Sequence, residues 1–200
     1  MITTVTLNPA IDATWFLDVF DENLINRVTD KHEDAGGKGI NISRVLAKTG
    51  IETMATGLVG GSVGVHLRNL LEDEDVKHVF ANVRQGETRT NLTLFIQDGS
   101  RTVKINQSGP TVTEQDIADL RQIVVNMAQY SKYTALSGKN PPGADNAHII
   151  EMLKAVKRVG SGVALDSESF GLEDILELKP HFYKPNVLEF EQLHGGTKMH

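Results

Sequence analysis

From Thr111 onward strand-like and helix-like segments alternate, and this rhythm constrains the fold more than any other feature. Thr113-Glu114-Gln115-Asp116 has the form of a capping box, and Ile117, Leu120, Val124 and Met127 follow at helical spacing. Residues 132–136 predict a strand, and 146–159 a helix with Ile149, Ile150, Leu153 and Val156 inward. A strand over 162–165 ending at Asp166, a short helix over 172–178 and a strand over 181–184 complete the series. Strands separated by helices of this length pair in parallel, with helices on both faces of the sheet. At 200 residues the chain suits one domain with a real core.

The first half departs from that rhythm. Residues 2–7 are β-branched and predict a strand. The turn Asn8-Pro9-Ala10-Ile11-Asp12 then leaves a carboxylate beyond the strand's C-terminal end, where open α/β sheets bind ligands. Residues 14–19 and 25–32 read as two strands separated by Asp21-Glu22-Asn23, and 88–97 and 101–106 as a hairpin across Asp98-Gly99. Neither hairpin fits the alternation, so both are assigned to a separate small sheet, a lid, at about 13–33 and 88–106. Between them lie a Gly-rich turn, a helix with Ile42, Val45 and Leu46 on one face, a strand over 52–59, a helix over 63–71 and a strand over 77–83. The acidic run at 72–75 reads as a solvated helix end.

The turn Gly36-Gly37-Lys38-Gly39-Ile40-Asn41 carries most of the chemistry. A Gly-rich turn that opens a helix presents backbone N–H groups to a small polar ligand. It is not a nucleotide loop. The dinucleotide fingerprint needs a glycine where Ile42 stands, and neither Gly37-Lys38 nor Gly138-Lys139 is followed by the Ser or Thr of a P-loop. Asn41 and Asp12 are groups that grip hydroxyls. Arg89 and Asn91 share one face of a lid strand and Lys104 lies on the paired arm, an arrangement suited to a phosphate. Ser137-Gly138 before Pro141-Pro142-Gly143 is either a plain turn or a loop that adds a hydroxyl to the same pocket. Asn186 and Glu189, one helical turn apart after Lys184-Pro185, suit Mg²⁺, a capping box, or both.

Composition removes other classes. The sequence has no cysteine, which excludes disulfides and thiolate chemistry, and its net charge of −6 argues against a nucleic-acid partner. No run approaches a membrane span, and with no export signal the expectation is a cytoplasmic protein.

Taken together, Thr6-Leu7-Asn8-Pro9-Ala10-Ile11-Asp12, the turn at 36–41, Thr88-Arg89-Thr90-Asn91, Ser137-Gly138-x-x-Pro141-Pro142-Gly143 and Lys184-Pro185-Asn186-x-x-Glu189 resemble the ribokinase-like carbohydrate kinases of the phosphofructokinase-B type. Within them the chain is most similar to the 1-phosphofructokinase and tagatose-6-phosphate kinase groups. The resemblance implies an α/β fold, a three-layer α/β/α sandwich with a mainly parallel sheet and a small β-lid that mediates a homodimer. It implies that Asp12, Gly36, Gly37 and Asn41 hold sugar hydroxyls, with Ser137 beside the sugar. Arg89, Lys104 and Arg27 hold the substrate's phosphate. Lys184, Asn186 and Glu189 lie on the side of ATP and Mg²⁺. The implied reaction carries the ATP γ-phosphoryl group to a sugar phosphate, fructose 1-phosphate before tagatose 6-phosphate.

Two departures stand out. Lys139 replaces the family's second serine. The family's Gly-Ala-Gly-Asp run, which carries the aspartate base, is missing from these 200 residues, so the resemblance puts that base beyond His200. The expectation is therefore a fragment that lacks the C-terminal part of the fold, has no catalytic residue of its own and turns over little. An inactive sugar-phosphate-binding module is the alternative.

Overall fold

The computed structural model describes residues 1–98, 101–187 and 190–191. The β-branched start forms β1 (Ile2–Thr6), a central strand of the larger of two sheets. β2 (Ala10–Leu17) and β3 (Asp30–Gly36) follow, then α1 (Lys38–Lys48), β4 (Thr53–Val59), α2 (Gly61–Asp73) and β5 (Ala81–Asn82). Next come β6 (Arg89–Ile96), β7 (Arg101–Asn106), α3 (Glu114–Ala128), β8 (Tyr133–Ser137), α4 (Asn146–Arg158), β9 (Gly162–Asp166), α5 (Leu172–Leu178) and β10 (Phe182–Tyr183). The larger sheet runs β10-β9-β8-β1-β4-β5, parallel throughout, as the alternation predicts. The smaller runs β3-β2-β6-β7, with β2 and β6 parallel and the outer pairs antiparallel.

Two apolar clusters make the layers. Leu120, Val124, Leu153 and Val156 of α3 and α4, with Leu178 of α5, pack against Val5, Leu136, Val163 and Leu165 on one face of the larger sheet. On the other face Ile40 of α1 and Leu67 and Leu71 of α2 pack against Ala55 and Val59, and they draw in Ile11 and Ala35 of the smaller sheet. Thr113 caps α3 through the expected box, its hydroxyl accepting from the Asp116 backbone N–H while Asp116 Oδ2 accepts from the Thr113 backbone. No helix among the described residues is long and apolar enough to cross a membrane.

Several expectations need correction. β2 begins at Ala10 rather than residue 14, so Asp12 lies within a strand of the smaller sheet and not on a turn beyond β1. β3 starts at Asp30 and runs to Gly36, directly into the helix. Between β2 and β3 the backbone amides of Asp21 and Asn23 donate to the side chains of Asn26 and Asp21, each at 2.8 Å, so local side-chain bonds replace the ladder there. Of residues 77–83 only Ala81–Asn82 form a strand, with an isolated bridge from His78 to Ala55. The apolar stripe expected on α1 is also wrong: Val45 is 61% exposed, and the buried residues are Gly39, Ile40 and Ser43. The sheet beneath α1 offers threonines. Ser43 forms hydrogen bonds with Thr4 at 2.8 Å and Thr53 at 2.7 Å, so a small hydroxyl fits where a Val would leave buried polar groups unpaired.

The acidic run at the end of α2 is likewise not simply solvated. Arg44 Nε donates to Glu74 at 2.6 Å and its Nη2 to Asp34 at 3.1 Å, which joins α1, the end of α2 and β3. His66 of α2 meets Glu33 of β3 at 3.0 Å. These contacts hold the smaller sheet against the body.

Candidate functional site

The site begins where β3 hands over to α1. Gly36 lies in register with Ala10, and a Cβ built on it would stand 2.2 Å from Asp12 Oδ2, so no larger residue fits while that carboxylate holds its position. Gly37 caps the helix at φ 133, with no side chain to fill the N-terminal amides. The backbone N–H of Ile40 donates to Thr6 Oγ1 at 3.1 Å, which pins the first helical turn to the end of β1. Asn41 lies on that turn and is exposed.

Opposite the glycines, register places Asp12 beside Asn91 and Ala10 beside Arg89 across the parallel β2–β6 pair. Asn91 Nδ2 donates to Asp12 Oδ1 at 2.8 Å. The guanidinium of Arg89 donates to two backbone carbonyls, Asn8 at 3.2 Å and Gln107 at 3.4 Å. Burial lowers its pKa from the ordinary arginine value, and the nearby Asp12 charge pulls the other way. Lys104 lies opposite Thr93, on the same face but exposed. It is four residues along the strand from Arg89, about 13 Å at strand rise. Arg27 is exposed in the loop between β2 and β3.

A second group gathers at the C-terminal ends of β8 and β9. Ser137 is 1% exposed, and its hydroxyl donates to Asp166 Oδ2 at 3.1 Å. The other oxygen of Asp166 faces two ammonium groups, Lys38 at 3.5 Å and Lys184 at 4.0 Å. Lys38 belongs to the glycine turn, so Asp166 links that turn to the edge of the larger sheet. An apolar groove of about 390 Å³ lies alongside, lined by Ile42, Ala135, Ala164 and Phe182 together with Asp166 and Lys184. The backbone N–H of Phe190 donates to the Asn186 carbonyl at 2.9 Å, a helical turn in the place expected for one. Glu189 and His200 lie outside the described residues. Among the described residues no three His, Cys, Asp or Glu side chains are grouped to hold a metal ion. Lys139, the departure in the proline loop, faces Glu168 at 3.5 Å.

Asp166 and Lys38 join this candidate site, although neither was singled out by the sequence alone. The signal for Asp166 was present: it ends a parallel strand, the position that singled out Asp12. Lys38 was legible only as part of the glycine turn.

The motifs, the two-sheet fold and this convergence on the strand ends define a sugar-kinase class of domain, and comparison makes the family definite. The model of the pfkB family carbohydrate kinases matches residues 5–198, and the chain belongs to that family. It is 32% identical over 195 residues to a tagatose-6-phosphate kinase of Staphylococcus epidermidis, covering 96% of this chain and 62% of that protein. Phosphofructokinase-2 from Escherichia coli, solved with fructose-6-phosphate, superposes with a TM-score of 0.89 at 26% identity, over 100% of this chain and 65% of that one. The possible 1-phosphofructokinase of Thermotoga maritima gives 0.79 at 29% identity, over 94% and 61%. This chain thus spans less than two thirds of the length of these relatives.

Proposed function

We propose that the chain forms the sugar-binding half of an ATP-dependent sugar-phosphate kinase, with fructose 1-phosphate as first choice of acceptor and tagatose 6-phosphate as second. The observation that carries this reading is the face shared by Asp12, Asn91 and Arg89 above Gly36. It sets hydroxyl acceptors beside a half-buried guanidinium whose protein partners are carbonyl oxygens. Asp12, the turn at Gly36 and Gly37, and Asn41 hold the sugar hydroxyls. Arg89 takes the phosphate already on the sugar, and Lys104 and Arg27 reach it from farther out. Ser137 orients Asp166 beside the sugar.

On the nucleotide side, Lys38 and Lys184 bring two positive charges together at Asp166, a fit for ATP phosphates. Asn186, with Glu189, is the assigned Mg²⁺ side. The metal would neutralise phosphate charge, and this chain's part is to position the acceptor hydroxyl and exclude water. In this reading residues 1–200 alone bind substrate and turn over little, because the Gly-Ala-Gly-Asp run that carries the family's aspartate base is not among them. The second reading is an inactive sugar-phosphate-binding module. The apolar face of the smaller sheet, with Trp15 37%, Val103 40% and Ile105 53% exposed, supports a homodimer through the lid. The cytoplasm, where ATP is made, suits the reaction.

Calorimetric titration tests this. Fructose 1-phosphate and tagatose 6-phosphate are expected to bind at least tenfold tighter than fructose, and preference for an unphosphorylated sugar or nucleoside overturns the assignment. ATP-dependent phosphorylation of the same panel, by this chain and by a longer one carrying a downstream Gly-Ala-Gly-Asp, separates kinase from binding module.

A further inference from the structure

Asn91 carries an unexplained polar atom. Its Nδ2 donates to Asp12 Oδ1 at 2.8 Å, while its Oδ1 is buried with no hydrogen-bond partner. A carboxylate only accepts, so the amide nitrogen must face Asp12, and the orphaned oxygen is a consequence of that choice and not of an arbitrary amide orientation. A buried acceptor without a donor is costly, and a site that keeps one calls for a donor from elsewhere. The pair is anchored on both sides. Asp12 and Asn91 are in direct register across β2 and β6, and Asp12 Oδ2 packs over Gly36, where a side chain fits only if Asp12 moves. Two acceptors, Asp12 Oδ2 and Asn91 Oδ1, therefore flank one hydrogen bond, and Arg89 lies two residues away on the same face.

We propose that Asn91 is a substrate-binding and specificity-determining residue: its Oδ1 accepts from one sugar hydroxyl while its Nδ2 holds the Asp12 carboxylate ready for the neighbouring hydroxyl. The pair selects a vicinal diol, and Arg89 separately selects the phosphate. This rests on the sugar-phosphate reading and deepens it.

The test is calorimetric binding of fructose 1-phosphate and its 3-deoxy and 4-deoxy analogues to the full chain and to the near-isosteric Asn91→Leu, with inorganic phosphate as a separate probe. In the wild type, removing one of these hydroxyls should weaken binding about tenfold, the loss of one hydrogen bond to a buried acceptor. Asn91→Leu should weaken the parent by a similar factor, erase the penalty for one particular deoxy position and leave phosphate binding unchanged. An unchanged affinity for the parent overturns the proposal, as does a uniform loss across all sugars and phosphate, which marks a merely structural residue. If Asn91→Leu does not fold, the wild type alone decides: equal affinity for parent and both deoxy analogues overturns it. A wild type that binds no sugar phosphate overturns the sugar-kinase reading as well, so the two failures are distinguishable.

Discussion

The two sheets are joined by Leu7-Asn8-Pro9, yet they are built on opposite terms. In the larger sheet Val5, Thr4, Thr56, Thr134 and Val163 have no exposure at all, because helices cover its central strands on both faces. In the smaller sheet β7 is exposed from end to end, and one face of β2 and β6 carries Asp12, Asn91 and Arg89. The larger sheet is held by burial. The smaller buries only part of itself, with Ile11 and Ala35 packed against α1 and α2, adds strand pairing and a few charged contacts from those helices, and so can keep polar groups exposed on its other face. Burial is concentrated in the larger sheet, and exposed polar groups in the smaller one and at the strand ends.

Substitutions can break or sharpen that division. The most severe should be Gly57→Ala in β4. Gly57 has φ +156, and a Cβ there would lie 1.9 Å from the Thr6 carbonyl oxygen on the paired strand, where only backbone could yield. A loss of about 3 kcal/mol or more is expected, a large share of a typical domain's stability, read as insoluble expression or a collapsed melting temperature. A wild-type melt would mean that the larger sheet is not the rigid partner.

A matched pair of truncations comes next. Leu153→Ala, fully buried on α4, should cost about 3 kcal/mol in urea unfolding, whereas Leu94→Ala on β6 should cost about 1 kcal/mol or less. Equal losses would erase the contrast.

Asp116 is 1% exposed, and Asp116→Ala removes a cap and the partner of Arg84, at about 2 kcal/mol. Burial alone would raise the pKa of this carboxyl, but bonds from Thr113 and Arg84 outweigh it and hold the value below the usual range. The unfolded chain therefore takes up this proton first as acid is added. The contribution is complete above the ordinary carboxylate value near 4, as an order of magnitude, and fades as pH falls through the lower folded value. The gap between wild type and Asp116→Asn should accordingly narrow in acid melts.

Gly36→Ala should shift unfolding by about 1 kcal/mol or less, since the Asp12 side chain can swing aside, yet it should weaken sugar-phosphate binding at least tenfold. Smallest of all, Val103→Asp on the exposed face should leave monomer unfolding within about 0.5 kcal/mol. Its effect should appear in light scattering, as loss of the proposed dimer.

The same division governs what the sequence disclosed. α3, α4 and the strands between them could be read from Ile117, Leu120, Ile149 and Leu153 because one buried face imposes a period on the chain. α1 misled for the opposite reason. Its buried face is Gly39 and Ser43 seated on threonines, and hydroxyl pairing leaves no apolar period to follow. Within the site, the Gly36 turn was legible because glycine spacing is local. The pairing of Asp12 with Asn91, and of Asp166 with Lys38 and Ser137, depends on which strands lie side by side, and spacing along the chain does not encode that. Asp12 shows the cost: taken for a turn residue beyond β1, it belongs to β2.

The parallel contact between β2 and β6 also sets an order of events. The bond from Asn91 to Asp12 closes a loop of 79 residues, and α1, β4, α2 and β5 all lie inside it. Bringing such distant ends together is entropically expensive until the intervening chain has already compacted. β2–β3 and β6–β7 can each form early as local hairpins, but they join only after the first half of the larger sheet is in place. The Asp12–Asn91 pair is thus among the last contacts to assemble, and in native-state exchange its strands should be among the first to open.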